Sequence, residues 1–223
     1  MPSPTTDPVS VLVVDDEELV RSGLMLILGT APDIHVAAAV NGDEAVQAIL
    51  EHRPDVALLD IHMPDVDGLT LLRDVRELPD PPHVAMLTTS GTDELIAEAF
   101  ELGAEGFLLK SITPQRLLNS VRALATGAGC LSPCVLNRLK RPSFGSVSRA
   151  ARQAVAALTT QEQQVLTLIH QGLANSDISS RLNSSPAVVK DHVSSILSRL
   201  GVSNRVQAAV TAERAGLSFG DTR

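Results

Sequence analysis

The sequence predicts a doubly wound α/β domain on a five-stranded parallel sheet, followed by an all-α domain of four helices. From residue 9 to about residue 125, short apolar runs alternate with segments of helical period, whereas from residue 158 to 216 the period is helical throughout. A chain of 223 residues also has the length of two modest domains rather than one. These observations together predict two cores of different class.

Five apolar runs are the predicted strands of the first domain, over residues 9–14, 35–39, 56–59, 83–87 and 106–109. Between them, apolar residues recur at helical spacing, as in 17–28 and 41–52. The last helical segment opens with Thr113 as a candidate N-cap and Pro114 at the first helical position. Because parallel strands need crossover connections, this alternation indicates helices on both faces of the sheet.

The domain boundaries follow from where periodicity fails. Glycine, proline and serine accumulate between residues 127 and 150, which predicts an exposed linker with one short helix around 135–139. We therefore expect a first domain over 1–126, a linker over 127–152 and a second domain over 153–223. Breaks at Gly172, 183–186 and 201–204 divide the second domain into its four helices.

The charge is divided unevenly between the two halves. The net charge is −8, yet the segment from Ala151 onward carries +2 and the first 150 residues carry −10. This asymmetry fits a cation-binding half and a half that can approach a polyanion. No apolar run approaches the roughly 20 residues that span a bilayer, and residues 1–10 lack the features of a secretory signal, so we expect no membrane partner and a cytoplasmic location. Cys130 and Cys134 are expected to be reduced thiols without assigned chemistry.

Reactive side chains close the predicted strands of the first domain. Asp15 and Asp16 follow the first strand, Asp60 ends the third, Thr88 the fourth and Lys110 the fifth. The carboxyl ends of parallel strands form a common crevice, so these side chains should converge. Three converging carboxylates repel one another unless a hard cation lies among them, and Mg²⁺ is the natural candidate. Asp60 can then act as a nucleophile toward phosphorus, with the Lys110 ammonium and the Thr88 hydroxyl contacting phosphoryl oxygens.

Over residues 9–126 the chain resembles the flavodoxin-like receiver domain of response regulators. The resemblance is carried by Val11-Leu-Val-Val-Asp15-Asp16-Glu17, Asp60-Ile-His-Met-Pro64-Asp-Val-Asp-Gly68, Leu87-Thr88 and Gly103-Ala-Glu-Gly-Phe107-Leu-Leu-Lys110. It implies that Asp16 and Asp60 are direct Mg²⁺ ligands, that Asp15 binds through water, and that the backbone carbonyl of His62 is a further ligand. It also implies that Phe107 is a switch aromatic, which turns inward when Thr88 moves toward the phosphoryl group, and that a sensor histidine kinase supplies the phosphate.

In the second domain, a helix pair over 175–182 and 185–200, joined by a short turn, can place its second helix in the major groove of DNA. Ser185 is a good N-cap and Pro186 is tolerated at the first helical position. Helical spacing predicts a buried stripe of Val189, Val193, Ile196, Leu197 and Leu200. The same spacing predicts an outward-facing surface formed by Ala187, Lys190, Asp191, Ser194 and Ser198.

Residues 158–217 resemble the LuxR-type helix-turn-helix domain of NarL/FixJ-class regulators. The segments are Leu158-Thr159-Thr-Gln-Glu162-Gln-Gln-Val165-Leu166, Gly172-Leu-Ala-Asn175-Ser-Asp-Ile178, Val189-Lys190-Asp-His192-Val193 and Leu200-Gly201-Val202. The resemblance implies that Lys190 and Asp191 face base edges, that Asn204 and Arg205 face phosphates, and that the last helix, about 205–215, forms a dimer contact. Val188 stands where relatives usually have threonine. Asp191 can accept a hydrogen bond from cytosine N4, but its charge opposes phosphate attraction.

These features predict a response regulator transcription factor. Phosphorylation of Asp60 by a sensor histidine kinase would control assembly of a homodimer on double-stranded DNA with two half-sites roughly 10 bp apart. Such a chain is a self-catalysed phosphoryl acceptor and not a turnover enzyme. One alternative is a receiver that is never phosphorylated and serves as a dimerisation or ligand-sensing module. Another, an aspartyl-phosphate phosphatase, would need a second aspartate two positions after the nucleophile, where His62 stands.

Overall fold

The chain divides into two compact units, which are considered separately. One comprises the residues up to 91 together with 102–130, and the other comprises 92–101 together with 131–223. The structure, a computed structural model, describes residues 7–89, 91–131 and 149–217. Within these ranges, no helix has both the length and the apolar character needed to cross a bilayer.

Strands and helices alternate along the first unit, as the apolar periodicity predicts. The elements are β1 (Val9–Val14), α1 (Glu18–Leu28), β2 (Ile34–Val40), α2 (Ala45–His52), β3 (Val56–Asp60), α3 (Gly68–Arg76), β4 (His83–Thr88), β5 (Gly106–Leu109), α5 (Pro114–Ala125) and β6 (Cys130–Leu131). A single 3-10 turn, Gly42–Glu44, precedes α2, and α4 (Asp93–Glu101), which follows β4 in the chain, belongs to the second unit.

The strands form one sheet in the order β2-β1-β3-β4-β5-β6, and the pairs among β1 to β5 are parallel. The five predicted parallel strands are therefore confirmed. The short sixth strand was not predicted, because residue 130 falls in the expected linker and two residues carry no readable period. It is attached to the edge of the sheet through the Cys130 N–H, which donates to the Glu105 carbonyl at 2.8 Å.

The core of the first unit follows the alternation of side chains along the strands. Val11 and Val13 of β1 face a cluster that includes Leu28 of α1 and Val121 of α5, and all four are fully buried. The chain runs from β1 outward to β2 and returns to β3 on the other side of β1, so the strand order reverses there. This reversal opens a crevice at the carboxyl ends of β1 and β3.

The second unit is helical beyond α4, as predicted. Its described helices are α6 (Arg149–Ala156), α7 (Thr160–His170), α8 (Asn175–Arg181), α9 (Pro186–Leu200) and α10 (Arg205–Arg214). The four predicted helices correspond to α7 through α10, whereas α6 begins within the residues expected to form the linker. The short helix predicted around 135–139, and Cys134, lie outside the described residues. Gly201, with a φ of +66°, ends α9 in the left-handed conformation that favours glycine.

Candidate phosphoacceptor and DNA-binding sites

Three carboxylates meet at the carboxyl ends of β1 and β3. Asp15 is fully buried and Asp60 nearly so, and Asp16 is partly exposed beside them. One oxygen from each can be chosen so that all three lie within 4.8 Å of one another. The convergence expected from the strand ends is therefore present in the structure.

Lys110 neutralises part of this acidic cluster. Its ammonium nitrogen lies 2.9 Å from Asp15 Oδ2, 3.0 Å from Asp60 Oδ2 and 3.3 Å from Glu17 Oε1. Burial alone would lower the pKa of Lys110, but the hydrogen bonds to Asp15 and Asp60 outweigh it and hold the pKa above its usual range. The lysine therefore stays cationic and holds a fixed positive charge beside the Asp60 carboxylate.

The acidic cluster has the chemistry of a divalent cation site. Burial raises the pKa of Asp15, although Lys110 and the Glu17 N–H, which donates to Asp15 Oδ1 at 3.0 Å, lower it. Asp16 Oδ1 is a buried oxygen that accepts no hydrogen bond from any of the described residues. An orphaned carboxylate oxygen next to a desolvated carboxyl group fits a hard cation that takes oxygen ligands. Asp15, Asp16 and Asp60 could therefore hold Mg²⁺.

The remaining residues expected at this site lie on β4, on β5 and in the loop after β3. Thr88 is fully buried at the end of β4, and its carbonyl accepts the Lys110 N–H at 2.7 Å. Phe107 is also fully buried, and the β4–β5 register pairs it with Met86, so it lies on the same face of the sheet as Thr88. The His62 side chain is exposed in the loop after β3, and the expected role of its backbone carbonyl as a ligand stays a prediction.

Three residues that shape this site were given no role by the sequence. Glu17 adds the third carboxylate around Lys110, and Arg21 donates to the Asp15 carbonyl at 2.6 Å and so fixes the loop after β1. Gly68 packs so tightly that a Cβ there would lie 2.2 Å from the Asp60 carbonyl oxygen and 2.6 Å from Ile61 Cα. The Asp67-Gly68 pair at the start of α3 was the available signal, because Asp67 caps that helix by accepting the Thr70 N–H.

In the second unit, α9 presents the outward face that its spacing predicts. Val189, Val193 and Ile196 are buried, and Leu197 and Leu200 pack against the same core. The exposed side chains of this face are Ala187, Lys190, Asp191, Ser194 and Ser198. Ser185 caps the helix by accepting the Val188 N–H at 3.3 Å. The structure therefore collects four of the predicted DNA-contacting residues, Ala187, Lys190, Asp191 and Ser194, on one surface.

A buried carboxylate fixes α9 against α7. Glu162 accepts hydrogen bonds from the Ser195 hydroxyl at 2.6 Å and from the Thr159 N–H at 2.8 Å, and Arg199 lies 3.3 Å away. The Ser195 hydrogen bond, and after it the Thr159 N–H, lower the pKa of Glu162 to about 2. Glu162 therefore stays ionised and ties the middle of α9 to the first turn of α7. Sequence reasoning missed this link, although Thr159-x-x-Glu162 is a capping-box pattern.

Asn204 and Arg205 do not lie on that surface. Both are buried, at 5 % relative exposure. Asn204 caps α10 by accepting the Gln207 N–H, and the Arg205 guanidinium donates to Asn175 Oδ1 and to the Leu173 carbonyl. Burial lowers the pKa of Arg205 to about 10. The phosphate contacts expected of Asn204 and Arg205 stay a prediction. They conflict with this arrangement, because both side chains form hydrogen bonds inside the unit.

Two family profiles match the chain in the order of the two units. Residues 11–122 match the response regulator receiver domain, and residues 156–212 match the luxR family of bacterial regulatory proteins. The first match contains the acidic cluster, Thr88, Phe107 and Lys110, and the second contains α9 with its exposed face.

Several named relatives match the chain along nearly their whole length. The nitrate/nitrite response regulator NarL of Escherichia coli is 33 % identical over 92 % of this chain and 94 % of its own. The DNA-binding transcriptional activator DevR/DosR of Mycobacterium tuberculosis is 34 % identical, again over 92 % of this chain and 94 % of its own. The crystal structure of ChrA, the response regulator of a haem-sensing two-component system, is 35 % identical, with a TM-score of 0.52 over 96 % of this chain and 100 % of that one.

Proposed function

The chain belongs to the two-component response regulators that join a receiver domain to a LuxR-type DNA-binding domain, and from this premise we propose that a sensor histidine kinase phosphorylates Asp60 to control DNA binding. The observation that carries the proposal is the acidic cluster, in which Lys110 lies 3.0 Å from Asp60 Oδ2. The proposed boundaries are a receiver over 1–126, a linker over 127–152 and a DNA-binding domain over 153–223.

In the proposed reaction, Asp60 is the nucleophile and accepts the phosphoryl group. A carboxylate oxygen of Asp60 forms a bond to phosphorus as the bond to the donor breaks, and the donor leaves with the electron pair. The Ile61 N–H already donates to Asp60 Oδ1 at 2.8 Å and holds the carboxylate in place. Lys110 supplies a fixed positive charge to the phosphoryl oxygens. The chain thus accepts phosphate without turning over as an enzyme.

Asp15, Asp16 and Asp60, with the His62 carbonyl, are the groups that would hold Mg²⁺. When bound, the ion supplies positive charge that offsets repulsion between these carboxylates and an incoming phosphoryl group. Thr88 would then move toward the phosphoryl oxygens. Phe107 is already fully buried in this structure, so in this proposal it repacks into the space that Thr88 leaves rather than turning in from the surface.

The proposed output is binding of a homodimer to two half-sites in double-stranded promoter DNA. The face of α9 formed by Ala187, Lys190, Asp191 and Ser194 enters the major groove, and α10 contributes the dimer contact. Lys190 and Asp191 differ in the groups they recognise, since a lysine donates to guanine O6 or N7 and an aspartate accepts from cytosine N4. Because the proposed partner is chromosomal DNA, the proposed site of action is the cytoplasm.

The test follows phosphoryl transfer and DNA binding in the same samples. The full chain is incubated with Mg²⁺ and a small-molecule phosphodonor, the phosphorylated fraction is measured by mass spectrometry, and binding to the DNA upstream of its own gene is measured by gel shift. We expect Asp60→Asn to abolish both the labelling and the gain in affinity. Asp80→Asn is the matched control, because Asp80 is exposed after α3 and should leave both unchanged.

Three outcomes would overturn parts of the proposal. Labelling that persists in Asp60→Asn would remove Asp60 as the acceptor. Labelling without any change in DNA binding would remove the proposed coupling between phosphorylation and DNA binding. Absence of labelling, with DNA binding that the phosphodonor does not change, would favour the alternative in which the receiver is never phosphorylated and serves as a dimerisation or ligand-sensing module.

A further inference from the structure

One side chain on α9 is apolar where its surroundings are polar. Val188 is 44 % exposed and is the most exposed large apolar side chain among residues 149–217. It lies in the first turn of the helix, where its N–H donates to Ser185, and the neighbouring Val189 is fully buried. The structure therefore exposes one of two adjacent valines and buries the other.

The exposed position gives Val188 no evident role in folding. A β-branched residue in a helix is less favourable than alanine because its side chain loses rotamer freedom. Burial in a core would compensate for that cost, but Val188 is not among the residues that pack into the core of this unit. Its side chain instead borders the exposed face of Ala187 and Asp191.

Resting on the proposed function, in which α9 enters the major groove, we propose that Val188 determines sequence specificity by packing against the C5 methyl group of a thymine. The first turns of a recognition helix are the part that contacts base edges. A valine side chain can form no hydrogen bond, and the thymine methyl is the apolar group that the major groove presents.

The position of Asp191 indicates where that thymine lies. Val188 and Asp191 are three residues apart on the helix, so their Cβ atoms lie about 5–6 Å from each other. Stacked base pairs are about 3.4 Å apart, so the two side chains reach base pairs that are at most about two steps apart. If Asp191 accepts from cytosine N4, it contacts a G·C pair, which has no thymine methyl. The thymine therefore belongs to a different base pair, within about two steps of that one.

The test removes a single methyl group from the DNA. The phosphodonor-treated full chain first selects its sites from a randomised duplex library. Each thymine of the selected site is then replaced singly by uracil, and affinity is measured by fluorescence polarisation. We expect one thymine per half-site at which uracil lowers wild-type affinity about three- to fivefold, the loss expected for one methyl group leaving an apolar contact.

The variant Val188→Ala completes a double-mutant cycle. It should weaken binding to the thymine site by a similar factor and show no further loss with uracil. Alanine is tolerated at an exposed helical position, so this variant should fold. Ser198→Ala, on the same face but three turns further along, should keep the full uracil effect.

The possible failures are distinguishable. Wild-type affinity that is unaffected by uracil at every position, or an undiminished uracil effect in Val188→Ala, would overturn the inference while leaving the proposed function standing. A library that yields no enriched sequence would overturn both.

Discussion

Replacing Glu162 by glutamine tests how α9 is held against α7. The carboxylate accepts from Ser195 Oγ at 2.6 Å, from Thr159 N at 2.8 Å and from Thr159 Oγ1 at 2.9 Å. Glutamine keeps the shape of the side chain and one acceptor oxygen but removes the charge. Hydrogen bonds to charged groups contribute about 1.5–3 kcal/mol, and neutral ones about 0.5–1.5 kcal/mol.

The expected destabilisation is therefore about 2–3 kcal/mol for the three bonds together. The ion pair with Arg199 adds little, since that side chain is 49 % exposed. A loss of this size accelerates amide hydrogen exchange in α7 and α9 about 30- to 150-fold when opening and reclosing are faster than the exchange step. Hydrogen-exchange mass spectrometry of the full chain at neutral pH measures it. Asp191→Asn, which removes an exposed charge from the same unit, should change these rates less than threefold.

The same variant should change the pH dependence of stability. The pKa of Glu162 is lowered from its ordinary 4.5 to about 2, so its stabilisation is complete above pH 4.5 and is lost as the pH falls toward 2. The difference in urea midpoint between wild type and Glu162→Gln should therefore shrink across that interval. Far-UV circular dichroism is the suitable probe, because the chain has no tryptophan or tyrosine. Equal exchange rates in the two proteins at neutral pH, or a difference in urea midpoint that does not vary with pH, would show that the ionised Glu162 does not stabilise the packing of α9 on α7.

Three further predictions concern residues whose roles became clear from the structure. Lys110→Met removes the cation that lies 2.9 Å from Asp15. Phosphoryl labelling should therefore fall at least tenfold, while calorimetry should show tighter Mg²⁺ binding. Labelling at the wild-type rate would contradict the role assigned to Lys110. Gly68→Ala should lower the free energy of unfolding by about 1–3 kcal/mol in thermal melts, because its Cβ would lie 2.2 Å from a backbone oxygen. The control Gly23→Ala, which places its Cβ in open space on a helix, should be neutral or stabilising. Similar melts for the two variants would argue against the close contact at Gly68. Arg205 is buried, so Arg205→Ala should weaken DNA binding without changing how the affinity depends on salt concentration. A slope of log affinity against log salt that is smaller by about 0.9 would instead show that Arg205 contacts a phosphate.

The acidic cluster could be predicted because each of its members ends a strand. Parallel strands bring their carboxyl ends to one edge, so Asp15, Asp60 and Lys110 are adjacent in space once the alternation of strands and helices is recognised. The outward face of α9 was predictable for a similar reason, since a 3.6-residue period separates Lys190 from buried Val189 without reference to other helices.

Contacts between distant segments were not predictable in this way. Glu162 and Ser195 are 33 positions apart, and only the packing of α7 on α9 brings them within 2.6 Å. Arg205 was expected to face phosphate, yet its guanidinium turns toward Asn175 because the first turn of α10 lies in the interior of the unit. The sequence pattern around a charged residue at the start of a predicted helix is the same whether its side chain faces solvent or the core.

The order and class of the elements, the edge of the sheet where the carboxylates collect, and the exposed face of α9 could all be predicted from the amino-acid sequence. These properties depend on local periodicity and on the geometry of a single strand or helix. Only the packing of the elements fixes the ion pairs that Lys110 makes, at 2.9 Å from Asp15 and 3.0 Å from Asp60, the lack of room for a side chain at position 68, and the burial of Arg205. Each of these depends on distances between elements, which packing fixes and a one-dimensional pattern does not contain.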